Sequence, residues 1–355
     1  MADRLQEIIK SQDEFLKLRL MNTLKKIHFV AFFLLIIFGF ISCNNDDDDD
    51  FDETTSIAAL VKLDNDLSMF NEALKLAGEN FVNDLNSNSA LAPYTLLAPT
   101  NAAFQFFLDG SEYNELSDIP VDSIRSIILH HVIPRAEIRS SDFSTAKSGY
   151  LITSLRGGPG NTTIVMTFDA RNDVVLNGLS VVIEADINAS NGIIHKVNKI
   201  IEPTTVDNFI FSNPSLSLMA EAINEVGLRP VLRSDVGAQE AAKPPLTVFV
   251  PSNEAFQALL ATNNQWNSIS DIPKETLSEI LGLHIIKEKN IDANRFGNFI
   301  GPQDAISGKI TLNLVGTIGS VIGEGNSEAA LVTSGNIQGT NGVIYVIDKV
   351  LVPKS

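Results

Sequence analysis

Four segments of this chain occur twice, in the same order and at nearly constant spacing. Leu67–Gly78 (LSMFNEALKLAG) returns as Leu216–Gly227 (LSLMAEAINEVG), 149 residues later. Thr95–Phe104 (TLLAPTNAAF) returns as Thr247–Phe256 (TVFVPSNEAF) after 152 residues. Ser117–His131 (SDIPVDSIRSIILHH) returns as Ser270–His284 (SDIPKETLSEILGLH) after 153, and Asn191–Pro203 (NGIIHKVNKIIEP) as Asn341–Pro353 (NGVIYVIDKVLVP) after 150. A period this long is a domain duplication, since solenoid repeats recur every ~20–50 residues. The chain has 355 residues, enough for two domains of ~150 that each bury about 68–70% of their unfolded surface. The expected boundaries are 57–203 and 204–353.

Each segment carries a local structural signal. In Leu216–Gly227 the apolar positions Leu216, Met219, Ala220 and Ile223 lie on one helical face, and Gly78 and Gly227 are suited to stop the two helices. Thr247–Val250 is a β-branched and aromatic run that predicts a buried strand. Pro251 ends it, and Ser252, like Thr100 in the first copy, stands where a helix N-cap belongs. The helix that follows should bury Phe104 or Phe256. Pro120 and Pro273 suit a first helical turn, and the next helices present Ile124, Ile127, Ile128 and His131, or Leu277, Ile280, Leu281 and His284, at helical spacing. Asn191-Gly192 and Asn341-Gly342 predict tight turns into strands 193–200 and 343–351. Further strands are expected at 163–168, 174–176, 179–183, 309–315 and 329–332. Each repeat thus reads as helices followed by a sheet closed by a C-terminal strand, an α+β domain.

These motifs together resemble the fasciclin domain over residues 57–353. The first family motif, roughly Thr-Val-Phe-Ala-Pro-Thr-Asn-x-Ala-Phe, falls on Thr95, Pro99, Asn101 and Phe104 and on Thr247, Pro251, Asn253 and Phe256. The second, roughly Asn-Gly-x-Ile-His-x-Ile-Asp-x-Val-Leu, falls on Asn191, Gly192 and His195 and on Asn341, Gly342 and Asp348. Tyr345 replaces the family histidine in the second copy, and Asn198 replaces the aspartate in the first. The family's central Tyr-His pair is His130-His131 in one copy and Leu283-His284 in the other, so the tyrosine-dependent integrin contact linked to that region is not carried over. The resemblance implies two tandem domains, each a wedge-shaped β-sandwich flanked by helices, and extracellular adhesion or ligand binding. The motif residues themselves are expected to be structural.

The N-terminus reads as an export signal. Lys25 and Lys26 precede the apolar run Phe29–Ile41, followed by Ser42 and Cys43. The run has 13 residues, about 20 Å as a helix against a hydrocarbon core of ~30 Å, too short for a comfortable span. FISC at 40–43 resembles the lipobox of bacterial lipoproteins, which implies lipidation of Cys43 after removal of residues 1–42. A start at Met21 rather than Met1 gives the more ordinary signal; otherwise residues 1–20 are a short amphipathic extension. Cys43 is the only cysteine, so no internal disulfide and no cysteine metal site can form. Asp46–Asp50, Asp52 and Glu53 follow it, a self-repelling block that predicts an extended tether over 43–56. An acidic run behind a lipidated cysteine also resembles the surface-export signal of Bacteroidetes-type lipoproteins, which implies an outer-membrane protein facing the cell exterior.

Without residues 1–42 the chain keeps 20 basic and 39 acidic residues, a net charge of −19. That balance argues against nucleic acid as a partner. No zinc-binding His-Glu-x-x-His, nucleophile elbow or phosphate loop occurs, and no metal or cofactor is expected. Gly316–Gly325 reads as a turn-rich hairpin and Gly157–Gly160 as a loop. His131 and His284, the only histidines shared by both copies, are expected to satisfy buried polar groups rather than carry protons. Asn101 and Asn253 are expected to stabilise the strand-to-helix turn. Asp122-Ser123-Ile124 resembles a short O-glycosylation acceptor. The resulting expectation is a non-catalytic, lipid-anchored surface protein that binds an extracellular protein or glycan. The alternatives are a polysaccharide-binding accessory of an outer-membrane uptake system and, from another class, a hydrolase using His131 or His284.

Overall fold

The two strands at the middle of each repeat are buried on both faces, and the rest of the domain is arranged around that pair. The computed structural model describes residues 55–86, 90–233 and 244–354; the signal segment, Cys43 and the acidic run lie outside them. The first repeat runs α1 (Ile57–Leu63), α2 (Ser68–Ala77), α3 (Glu79–Asn86), β1 (Tyr94–Pro99), α4 (Asn101–Asp109), α5 (Val121–His130), β2 (Val132–Pro134), α6 (Ser140–Ala146), β3 (Ser148–Gly158), β4 (Thr162–Asp169), β5 (Val175–Leu176), β6 (Ser180–Ala189) and β7 (Gly192–Val197). The second runs α7 (Val206–Ser212), α8 (Ser217–Val226), α9 (Arg229–Arg233), β8 (Leu246–Pro251), α10 (Asn253–Leu260), α11 (Lys274–Leu283), β9 (Ile285–Lys287), β10 (Gly301–Ala305), β11 (Gly308–Val315), β12 (Ile318–Gly323), β13 (Ala330–Gly339) and β14 (Gly342–Ile347).

Each repeat forms a seven-stranded sheet, β2-β1-β7-β6-β5-β4-β3 and β10-β11-β12-β13-β14-β8-β9. The pairs β1–β7 and β8–β14 are parallel, and the other pairs are antiparallel. The C-terminal strand therefore does not close the sheet at an edge, as its position in the sequence suggests; it lies inside, between β1 and β6. Burial on both faces explains why these strands read as continuous apolar runs rather than alternating ones. Along β1, Tyr94, Leu96 and Ala98 join the helices in one core cluster, while Leu97 joins β3, β4 and β7 residues in another. Successive side chains point to opposite faces, so the sheet separates two cores, with the helices covering one side.

The other side is covered by the sheet itself. The β6–β7 register slips between Val182 and Ile187, with Asp186 at φ 64°, and the β13–β14 register slips between Val332 and Ile337, with Asn336 at φ 59°. Bulges of this kind bend a strand, and β3 returns to pack beside β2. This is the predicted sandwich, formed by one bent sheet. The bulge residues also act as pins. Asp186 accepts from the Ser140 backbone N–H at 2.9 Å, and Asn336 accepts from Ala293 N–H at 2.9 Å.

Three sequence-based placements shift. Pro120 and Pro273 are N-cap residues, one position before α5 and α11. The tight turns are Ser190-Asn191 and Thr340-Asn341, since Ala189 pairs with Gly192 and Gly339 with Gly342. Gly157 and Gly158 end β3 rather than sit in a loop. Strands β2, β3, β9 and β10 lie outside the expected ones, although β3 alternates buried Leu151, Thr153 and Leu155 with more exposed residues.

The repeats differ most in one hairpin. Strand β3 has 11 residues and β10 only 5, and the longer β3–β4 hairpin reaches onto the second repeat. Tyr150 stacks on Phe209 at 5.5 Å, and Tyr150 and Val165 pack against the second repeat's core. At the tip, Asn290 donates to the Pro159 carbonyl at 3.4 Å. In the connection between repeats, Thr340 N–H donates to the Thr204 carbonyl at 2.9 Å.

Candidate functional site

The two sequence motifs meet as neighbouring strands. In β1–β7, Thr95 lies beside Ile193, Leu97 beside His195 and Pro99 beside Val197. In β8–β14, Thr247 lies beside Val343, Phe249 beside Tyr345 and Pro251 beside Ile347. Around this seam each polar motif side chain binds the domain's own backbone, in the same way in both copies.

Thr95 Oγ1 donates to the Ala136 carbonyl at 2.8 Å and accepts from Ile138 N–H at 2.8 Å; Thr247 repeats this with Lys289 at 2.7 Å and Ile291 at 2.9 Å. Thr100 and Ser252 cap the next helix by accepting from Ala103 and Ala255. Asn101 accepts from Met69 N–H at 2.8 Å and donates to the Asn65 carbonyl at 2.9 Å. Asn253 does the same with Leu218 and Pro214, both at 3.0 Å. These asparagines tie the start of α4 or α10 to the start of α2 or α8. Phe104 and Phe256 are fully buried below them.

The turn asparagines close the domain. Asn191 Oδ1 accepts from Ile57 N–H at 2.9 Å, and its Nδ2 donates to the Leu85 carbonyl at 2.7 Å. Asn341 binds Val206 N–H at 2.9 Å and the Leu232 carbonyl at 2.7 Å. The following glycines leave no room for a side chain. A Cβ on Gly192 would sit 2.0 Å from the Tyr94 carbonyl oxygen, and one on Gly342 would sit 2.4 Å from that of Leu246.

The shared histidines have both ring nitrogens engaged. His131 Nδ1 donates to the Ile127 carbonyl at 2.7 Å, and Nε2 accepts from Ile201 N–H at 3.0 Å. His284 binds the Ile280 carbonyl at 2.8 Å and Leu351 N–H at 3.0 Å. Because Nε2 faces an N–H donor, both rings are held neutral. Burial pushes both down to about 4, only partly opposed by the carbonyl bond. His130 is driven to about 3, first by burial and then by repulsion from His131; its nearest polar atoms, Thr153 Oγ1 and Asn177 Nδ2, lie at 3.4 Å. Leu283 fills the matching place in an apolar cluster.

The departures from the family motif prove chemically equivalent. His195 Nε2 donates to the Ile138 carbonyl at 2.7 Å, and Tyr345 Oη donates to the corresponding Ile291 carbonyl at 2.7 Å. Asn198 accepts from Val181 N–H at 2.8 Å, and Asp348 accepts from Leu331 N–H at 2.7 Å. Tyr345→Phe is therefore expected to cost about 1–2 kcal/mol by stranding a buried carbonyl. Tyr345→His should retain most of that stability, since histidine does the same work in the first repeat. Urea denaturation of both variants checks this, and equal losses would rule it out.

The structure also brings together residues that no motif signalled. Asp207, 1% exposed, accepts from Arg229 Nε at 3.1 Å, Arg233 Nε at 2.9 Å and Thr205 Oγ1 at 2.6 Å. Burial alone would raise its pKa, but the hydroxyl and the two guanidiniums outweigh burial and hold it below the usual carboxylate value. Nothing local in the sequence signals this cluster, because Asp207 lies 22 and 26 residues from Arg229 and Arg233. Among the described residues no cluster of three or more His, Cys, Asp or Glu could hold a metal ion, and no helix is long and apolar enough to cross a membrane. Ser123 is exposed in the first turn of α5.

Two α+β domains in tandem, each built on this seam, define the class of protein. The Fasciclin domain family matches residues 65–203 and 214–353, and the chain belongs to that family. It is 23% identical to pig transforming growth factor-beta-induced protein ig-h3 over 268 residues, covering 74% of this chain and 35% of that one. With Drosophila melanogaster fasciclin-1 it shares 26% identity over 289 residues, covering 74% and 41%. With protein sll1483 of Synechocystis it shares 31% over 115 residues, covering 32% and 58%. The chain thus spans well under two thirds of the length of these curated relatives. Among solved structures, a FAS1 domain pair from the insect cell adhesion molecule fasciclin I superposes with a TM-score of 0.51 at 20% identity, covering 81% of this chain and 97% of that one.

Proposed function

We propose that this chain is a non-catalytic adhesion or ligand-binding protein, exported and lipid-anchored through Cys43, that presents a rigid fasciclin domain pair to an extracellular protein or glycan. The observation that carries this reading is how the motif side chains are used. Thr95, Asn101, His131, Asn191 and His195, with their counterparts in the second repeat, are committed to backbone groups. Neither ring nitrogen of His131 or His284 is free to exchange a proton with a substrate, which weighs against a hydrolase built on them. The motif residues act as scaffold, and recognition falls to the outer surface. The adhesive role rests on the fasciclin relatives together with this scaffold reading.

The lipid anchor, a position on the outer face of the outer membrane and a Bacteroidetes-type source are supported by the FISC segment and the acidic run behind it. Glycosylation of Ser123 is supported by its exposure. Mass spectrometry of the mature N-terminus is expected to find a lipidated Cys43 peptide, and an unmodified peptide rules the anchor out. Surface labelling of whole cells, with glycan and matrix-protein arrays, tests the rest. A buried location with no ligand on either array contradicts the adhesive reading.

A further inference from the structure

We infer that copies of this chain associate head to tail, the second repeat of one copy gripping the first repeat of the next as the two repeats grip each other within the chain. The contact between the repeats is heterologous, because one face of the first repeat meets a different face of the second. It leaves one unused face at each end of the pair, and repeating it builds a ring or an open series rather than a symmetric dimer. In the first repeat the gripping face is the outer side of β3–β5. Tyr150 stacks on Phe209 of α7, and Val165 packs against the second repeat's core. Asp169 and Val175 line a cleft of about 240 Å³ together with Ser212, the last residue of α7. Gly178 lies so close that a Cβ added to it would sit 2.5 Å from the Ser212 Cβ.

The register shows what stands at these places on the unused faces. In the second repeat the buried Leu312 pairs with Gly301 as Met166 pairs with Leu151, so Ile300 takes the position of Tyr150. Val315 pairs with Ile318 as Asp169 pairs with Val175. Ile300, Val315 and Ile318 are 45%, 55% and 48% exposed. In the first repeat Asn191 holds Ile57 as Asn341 holds Val206, so Leu60 takes the position of Phe209 and Leu63 that of Ser212. Leu63 is 73% exposed. On β6, Val182 pairs with Val197 as Val332 pairs with Ile347, so the exposed Ile183 takes the position of Thr333. None of Leu63, Ile183, Ile300, Val315 and Ile318 joins a core cluster. A single exposed aliphatic is ordinary, but apolar residues grouped on one face mark a contact surface. Brought together as within the chain, Leu63 replaces Ser212, while Val315 and Ile318 replace Asp169 and Val175. Three aliphatic side chains then meet where the intrachain contact keeps a polar cleft, and Leu60 lies against Ile300. The short β10–β11 turn gives no counterpart of the Pro159–Asn290 contact, so the contact between copies is the smaller of the two.

Neither lipidation of Cys43 nor an extracellular ligand is needed for this association. Sedimentation equilibrium of the full mature chain, made without acyl groups so that lipid cannot drive assembly, tests it. The average mass is expected to rise between about 1 μM and about 1 mM, the range of weak contacts, and to pass that of a dimer. Leu63→Asp spoils the gripped face and Val315→Asp the gripping face; both positions are exposed, and the counterpart of Val315 in the first repeat is already Asp169. Each variant alone should associate at least tenfold more weakly with an unchanged melting temperature. An equimolar mixture of the two should form dimers and nothing larger, because one intact pair of faces remains. Ile183→Lys and Ile318→Lys, on the same two faces, repeat the test if either first variant melts early. A wild type that stays monomeric throughout overturns the inference. So does a variant that associates like the wild type, or a mixture that stays monomeric, since a symmetric contact through one face is not restored by mixing.

Discussion

Between pH 7 and pH 5 the folded chain is expected to lose at least about 6 kcal/mol of stability, with the first repeat losing at least twice as much as the second. His130 and His131 in the first repeat, and His284 in the second, are buried and held to about 3, 4 and 4, and burial also lowers His195 in the first repeat. In the unfolded chain each returns to the ordinary ~6.5. Above that value both states are neutral and the contribution is complete. Between ~6.5 and about 4 the unfolded chain binds protons that the folded chain refuses, so stability falls with pH by up to ~1.4 kcal/mol per unit for each ring. At pH 5 this amounts to roughly 2 kcal/mol per histidine. A domain's whole stability is about 5–15 kcal/mol, so acidification to pH 5 should remove a sizeable part of the first repeat's stability. The carboxylates with lowered values, Asp64, Asp169, Asp186, Asp207, Asp271, Glu254 and Glu328, start from 3.8 or, for the two glutamates, 4.5, and act in a lower window. Denaturant unfolding at pH 7, 6 and 5 measures the slope. His130→Leu, which installs the residue found in the second repeat, should remove about a third of it. A flat profile, or one unchanged in that variant, contradicts the argument.

Gly192→Ala is expected to cost at least ~4 kcal/mol and to leave the first repeat largely unfolded at 37 °C. Gly192 starts β7 at φ 150°, and the added Cβ would lie 2.0 Å from the Tyr94 backbone oxygen on the neighbouring parallel strand. Strand separation in a sheet is fixed by hydrogen bonds, so this clash cannot be relieved by a side-chain rotation, and overpacking against backbone lies at the high end of such costs. Gly342→Ala should be nearly as damaging through Leu246 at 2.4 Å. Gly297, which has open space around it and no positive φ, supplies the control and should tolerate alanine within about 1 kcal/mol. Circular dichroism and melting curves separate these cases; comparable melting of Gly192→Ala and Gly297→Ala would refute the steric account.

What the chain showed in advance followed from how local each feature is. The helix caps Thr100 and Ser252, the strands ending at Pro99 and Pro251, and the duplication itself rest on neighbouring residues or on plain self-similarity, and the sequence displays them directly. The interior position of β7, the bulges at Asp186 and Asn336, and the long β3–β4 hairpin depend on partners far along the chain. An isolated Asp-Ile or Asn-Ile pair gives no sign of a slipped register. The same holds for the motif residues. Tyr345 in place of His195 looks like a lost function until Ile138 and Ile291 are seen to offer the same carbonyl. Asp207 carries no local sign of its burial, because its two arginines lie more than 20 residues away.

The asparagine at each turn before the last strand has a mechanical meaning. Asn191 joins Ile57, the first residue of α1, to the Leu85 carbonyl of α3 and to the central strand; Asn341 does so for Val206 and Leu232. A pull on the N-terminal end of either repeat is therefore delivered first to this clasp and then to a parallel strand pair in the middle of the sheet, which must shear along its whole length to yield. Forced unfolding is governed by the rate of opening rather than by equilibrium stability. A chain held at one end and loaded through its ligand would owe its grip to two carboxamides, and pulling experiments on Asn191→Ala should show rupture of the first repeat at markedly lower force.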